Sequence, residues 1–225
     1  MDLRGRHEDL RARIARACAR AGRPADSVVL IAISKTLPAE AIREAHALGV
    51  RDFGENKVQE LLSKAPLLED LGIRWHMVGH LQTNKVRGAL AHASMIQSVD
   101  SAHLAQRIDS LVAEGSKIEV LLQINTSGEE SKFGVAPRDL DALVSAIRPL
   151  DRLEVRGLMT LGPLTDDEEA IRSSFRTLRS LLPVARLHFP GASILSMGMS
   201  GDFEIAIEEG ATHIRVGAAL FGARI

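Results

Sequence analysis

Strands that alternate with helices along a chain lie parallel in one sheet, and this sequence alternates eight times. The first run, VVLIAISKT at 28–36, is apolar, largely β-branched and almost unbroken up to Ser34, as in a strand buried on both faces. Pro38 then opens a helical pattern, AEAIREAHALG, that closes at Gly49. Further runs at 51–56, 74–80, 95–99, 118–125, 153–160, 193–197 and 212–217 repeat the arrangement, with helical patterns between them. Eight such units in 225 residues fit a closed (β/α)8 barrel of the TIM type, near the lower end of its size range. A doubly wound open sheet is the alternative. It needs five or six strands and a glycine-rich first turn, and SKTLP is not one.

Outside this alternation stands an N-terminal helix at about 2–22. Leu3, Leu10, Ile14, Ala17, Cys18 and Ala21 recur at three- and four-residue steps. Its six arginines are interrupted by Asp2, Glu8 and Asp9, which reads as a solvated face rather than a nucleic-acid footprint. Cys18 reads as a small core residue. With 45% hydrophobic residues and a net charge of −1, residues 1–225 are expected to form one domain with no global pull toward nucleic acid. No run of 18 apolar residues offers a membrane span. The N-terminus lacks an apolar signal core, and the single cysteine suits a reducing compartment, so a cytoplasmic location is expected. A monomer is expected.

Lysine 35 sits where the first strand hands over to its helix, and sites of this fold class are built at that edge. In a closed barrel strand eight lies beside strand one, and strand seven is roughly 10 Å away. The ends of these two strands carry SMGMSGD (196–202) and RVGAALFG (215–222). Both are small and glycine-rich, and the loops after strands seven and eight are the recurrent phosphate site of such barrels. Gly217 lets backbone N–H groups come close to a ligand. Asp202 argues against an anion unless it points away as a helix cap. An amine at one end and a phosphate cradle at the other fit an aldehyde that carries a phosphate, pyridoxal 5′-phosphate, with the lysine forming its Schiff base. Arg215 is either a structural ion-pair partner or the group facing the pyridine nitrogen, which its guanidinium would keep unprotonated.

The segments AISKT, FGENKVQE, WHMVGHLQTNK, LLQIN, RGLMT, LSMGMSGDFEIAI and IRVGAALFGAR strongly resemble the pyridoxal phosphate homeostasis family, over residues 28–225 nearly continuously. The resemblance implies a barrel like the N-terminal domain of alanine racemase, with pyridoxal phosphate covalently held on Lys35 as a Schiff base. It also implies ligand contacts from Asn56, Ser200, Arg215 and the backbone at Gly217, with His80 lining the pocket. Lys57 stands where the family often has tyrosine. Members of the family are thought to hold the cofactor and distribute it, with apo-enzymes as expected partners, and no catalytic residue is implied.

Other readings compete. A racemase needs an acid or base on each face of the substrate; alanine racemases take the second from a tyrosine in a further domain, whereas this sequence has no tyrosine. A barrel that only binds other proteins would leave the lysine, both loops and Arg215 unexplained together. His76 and His80 are read as lying in a strand, with no carboxylate or cysteine cluster for zinc, so no metal is expected. The polar loop TSGEESKFGVAP is read as a lid or as a plain loop.

Overall fold

The computed structural model describes residues 1–129 and 131–222. Eight parallel strands close into a barrel in sequence order: β1 (Val29–Ile33), β2 (Asp52–Glu55), β3 (Arg74–Met77), β4 (Met95–Val99), β5 (Ile118–Gln123), β6 (Leu153–Met159), β7 (Ile194–Ser196) and β8 (His213–Val216). Closure is direct, with Ile31 of β1 in register with Arg215 of β8 on one side and Asp52 of β2 on the other. Nine α-helices decorate it among the described residues: α1 (Leu3–Arg20), α2 (Ala39–Ala47), α3 (Val58–Lys64), α4 (Val86–Leu90), α5 (Ala102–Leu111), α6 (Leu140–Ile147), α7 (Glu168–His188), α8 (Phe203–Glu208) and α9 (Ala218–Phe221).

Local chemistry sets the helix starts. Asp2 accepts from Gly5 N–H ahead of α1, and Ser101 from Leu104 N–H ahead of α5. Asp167 caps α7 through Glu169 and Ala170 N–H, so the acidic run at 166–169 is a helix start. Pro66 follows the end of α3 and turns the chain into a 3-10 stretch at 65–71.

Two apolar clusters hold the molecule. The larger lies between barrel and helices and includes Phe53, Trp75, Phe175 and Phe203. The smaller, Met95, Leu121, Met159 and Ile194, is fed by four successive strands and fills one side of the barrel interior. Helix α1 lies over α8 and α9, burying Leu10, Ile14, Ala17 and Cys18. Arg13 pairs with Glu204 at 2.8 Å, and Arg6 Nε donates to Leu220 O at 2.9 Å. The thin last unit of the barrel is thereby covered from the other end of the chain.

Strands are shorter than the apolar runs imply. The run at 74–80 stops at Met77, which leaves His76 in β3 but puts His80 in the following loop, correcting its reading as a strand residue. The cause is Gly79, where a Cβ would stand 2.2 Å from Asn56 O. That close backbone approach turns the chain away.

Candidate functional site

Lys35 occupies the turn that leaves β1. Thr36 beside it has φ 66°, the left-handed region that a β-branched residue normally avoids. The turn is held from below. Thr36 N–H donates to Glu60 Oε2 at 2.5 Å, and Lys64 Nζ donates to that same oxygen, to Glu55 Oε1 and to Ser34 O, each at 2.8 Å. Ser34 Oγ also donates to Glu55 Oε1 at 2.7 Å. Burial pushes the Glu55 carboxyl up from the usual carboxylate range, against its bonds from Lys64 and Ser34. Glu55 Oε2 is buried without a partner among the described residues. A buried ion-paired knot on β2 and α3 therefore fixes the backbone that presents Lys35.

The barrel edge brings Lys35 together with three other expected residues. An open cleft of about 540 Å³ is lined by Ile33, Lys35, Met199, Ser200, Gly201, Arg215, Gly217 and Ala218. That size lies within the range of small-molecule sites. Ser200 Oγ accepts long hydrogen bonds from Gly217 N–H (3.3 Å) and Ala219 N–H (3.2 Å), so a hydroxyl and two amides converge on one spot. Asp202 is not among the residues that line the cleft, and although it stands at the N-cap position of α8 its side chain makes no capping hydrogen bond. Its Oδ1 accepts from Met199 N–H at 2.5 Å, inside its own loop, and burial raises its carboxyl above the usual range.

Arg215 is 3% exposed, on β8. Burial pulls its guanidinium down to about 10, with Asp202 acting the other way, so it remains a cation at neutral pH. Nη1 donates to Ser196 Oγ and Nη2 to Thr160 O, both at 2.7 Å. Its two direct partners are thus a hydroxyl and a backbone carbonyl, and Asp202 acts on it from farther away rather than as a paired carboxylate. A buried cation whose direct partners are a hydroxyl and a carbonyl rather than a carboxylate, beside an amine and two converging N–H groups, fits an anionic aldehyde whose ring nitrogen can accept a hydrogen bond.

Asn56 and His80 do not line that cleft. They line a second groove of about 550 Å³ with Lys57, Val58, Gln59, Leu81, Gln82 and Lys85. His80 stacks on Phe133 at 3.8 Å between ring centroids, and its Nδ1 lies 3.2 Å from Asp100 Oδ2. The Phe133 loop is pinned by Asn125, whose amide donates to Glu129 O and Lys132 O, and by Lys132, which donates to Gly162 O. Glu130 of that loop and the final residues 223–225 of the IRVGAALFGAR segment lie outside the described residues. Among the described residues no group of three or more His, Cys, Asp or Glu side chains is placed to hold a metal ion, and no helix is long and apolar enough to cross a membrane.

Sequence reasoning missed Ser196, Thr160, Gln97 and the Glu55–Lys64 pair. A faint signal existed for two of them. Gln97 interrupts the apolar run MIQSV, and Glu55 is an acid at the end of a buried strand.

Residues 7–225 match the family model described as the alanine racemase N-terminal domain. The pyridoxal phosphate homeostasis protein of Pseudomonas aeruginosa is 49% identical over 214 residues, covering 95% of this chain and 92% of that protein. The solved structure of PipY from Synechococcus elongatus with PLP bound is 42% identical, covers 93% of this chain and 100% of its own, and superposes with a TM-score of 0.81. Alanine racemase from Corynebacterium glutamicum, 19% identical with a TM-score of 0.73, shares the fold; the match takes in 100% of this chain but 62% of the racemase. The barrel, the cleft at its carboxyl edge and these likenesses agree, and the chain belongs to the pyridoxal phosphate homeostasis protein family.

Proposed function

We infer that residues 1–225 work as one unit that binds pyridoxal 5′-phosphate, stores it and passes it on, without efficient turnover of a substrate. The observation that carries this reading is the buried Arg215, bonded to Ser196 and Thr160 and not to a carboxylate among the described residues, in the same cleft as Lys35, Ser200 and Gly217. When bound, the cofactor supplies an electrophilic aldehyde carbon that an amine can hold covalently. Lys35 is the amine at hand, on a turn fixed by Glu60 and Lys64. Ser200 and the Gly217 amide hold the phosphate by charge-assisted hydrogen bonds. Arg215 meets the ring nitrogen as a donor and leaves it without a proton, which weakens the ring as an electron sink. Asn56 and His80 contribute from the groove over β2 and β3. The name of the P. aeruginosa relative and the PLP in PipY support the ligand.

Racemisation is the second reading, favoured by the shared barrel. It lacks a tyrosine for the second face of a substrate. Cytoplasmic residence, a monomeric state and apo-enzymes as recipients complete the carrier reading. The test is to incubate the PLP-loaded protein with amino acids in deuterated water and, separately, with an apo PLP enzyme. The carrier reading expects activation of the apo-enzyme beyond a dialysed free-cofactor control, with negligible Cα deuteration. Enzyme-like deuteration or racemisation would return the racemase reading to first place.

A further inference from the structure

Next to the apolar cluster, the barrel interior holds a row of polar side chains that links the cleft to the foot of the barrel. It starts at Arg215 on β8, whose Nη1 is 2.7 Å from Ser196 Oγ on β7. Ser196 Oγ is 2.7 Å from Gln97 Oε1 on β4, and Gln97 Nε2 is 3.0 Å from His76 Nδ1 on β3. His76 Nε2 is 2.8 Å from Asp52 Oδ1 at the start of β2. Arg215, Ser196, Gln97 and His76 are all buried. Asp52 reaches a shallow cavity at the foot of the barrel, beside Arg11 and Arg51.

The two ends fix the direction of every bond between them. A guanidinium only donates and an ionised carboxylate only accepts. Ser196 therefore accepts from Arg215 and donates its one proton to Gln97 Oε1. Gln97 then presents its NH₂ to His76, with its second N–H near Met95 Sδ at 3.8 Å. His76 accepts at Nδ1 and carries its proton on Nε2, donating to Asp52. Turning the Gln97 amide over would set a donor against Ser196, leave the hydroxyl proton unplaced and demand a second proton on the imidazole. His213, buried beside His76, is pulled down to about 4 and adds no charge here at neutral pH.

We propose that Gln97 and His76 are positioning residues for Arg215: the one-way chain from Arg215 to Asp52 orients the Ser196 hydroxyl, holds the guanidinium plane at the floor of the cleft and selects the Nε2–H tautomer of His76. A serine hydroxyl rotates freely unless both its partners are fixed, and without Gln97 nothing on β4 fixes this one. The inference rests on the reading that Arg215 faces the cofactor ring.

The first measurement needs no ligand and no variant. Nitrogen-15 NMR of the histidine rings in the ligand-free protein at pH 7 is expected to show His76 protonated at Nε2 and bare at Nδ1. A His76 that is protonated at Nδ1, or at both nitrogens, overturns the chain. The second measurement titrates PLP into Gln97→Leu, Gln97→Glu and Arg215→Gln and follows affinity and the absorption maximum of the bound cofactor. Gln97→Leu is expected to weaken PLP roughly two- to tenfold, one hydrogen bond's worth, and to move the absorption band. Gln97→Glu keeps an acceptor for Ser196 and is expected to recover the affinity and the band, while its second oxygen draws a proton onto His76 Nδ1. An unchanged Gln97→Leu beside an altered Arg215→Gln overturns the positioning role. An unchanged Arg215→Gln overturns it too, together with the placing of Arg215 on the ring, and the ligand-free His76 spectrum tells the two failures apart.

Discussion

At the scale of single residues, the cleft depends on groups whose worth comes from where the backbone stops. Ser200 Oγ already collects Gly217 and Ala219 N–H, so it marks the point those amides favour for an anionic oxygen. Ser200→Ala is expected to weaken PLP by about 0.5–1.5 kcal/mol, more if the bond is charge-assisted, and to leave pyridoxal nearly unaffected. Calorimetric titration with both aldehydes checks this, and an equal loss for both would remove Ser200 from the phosphate. Lys35, Ser200, Arg215 and Gly217 were legible in the sequence because strand order alone sends the ends of β1, β7 and β8 to one edge. Ser196, Thr160 and Gln97 were not. Their partners lie across the barrel, and that pairing depends on register and side-chain direction, which no local pattern encodes.

At the scale of elements, the turn after β1 is a product of α3. Lys64 is 7% exposed and bridges Glu55, Glu60 and the carbonyl of Ser34. Removing one partner of such a buried group leaves an uncompensated charge. Lys64→Met is therefore expected to cost about 3–5 kcal/mol of stability. Adding Glu55→Gln should recover part of that loss, because the stranded carboxylate is then gone. Urea unfolding of both variants checks it, and a double variant no more stable than Lys64→Met would mean that the Glu55 charge is not the source of the cost. Periodicity found the eight strands and the capped helices, including Ser101 ahead of α5. It overran the strand ends, as at His80, because Gly79 stops β3 through a contact with Asn56 that is distant in sequence.

For the whole molecule, the barrel interior makes stability depend on pH. His213 is buried, and its pKa falls from 6.5 to about 4, first by desolvation and then by His76; Arg74 and Arg215 act in the same direction and Asp52 against. Between those values the unfolded chain binds the proton and the folded chain does not, so stability rises with pH. The contribution, roughly 3 kcal/mol, is complete above about pH 6.5 and lost as pH falls toward 4. Urea unfolding from pH 7 to 4 should show that slope, and His213→Gln should flatten it; an unchanged slope would assign it to other groups.

A barrel closed by β8 against β1 brings Lys35 to the cleft that we propose for pyridoxal phosphate. Borohydride makes an amine–aldehyde linkage permanent, so reduction of the PLP-loaded protein, digestion and mass spectrometry read out which amine holds the cofactor. The pyridoxyl label is expected on Lys35 and is expected to be lost in Lys35→Ala. A principal label on any other lysine of the wild-type protein, Lys64 or Lys132 included, would contradict it.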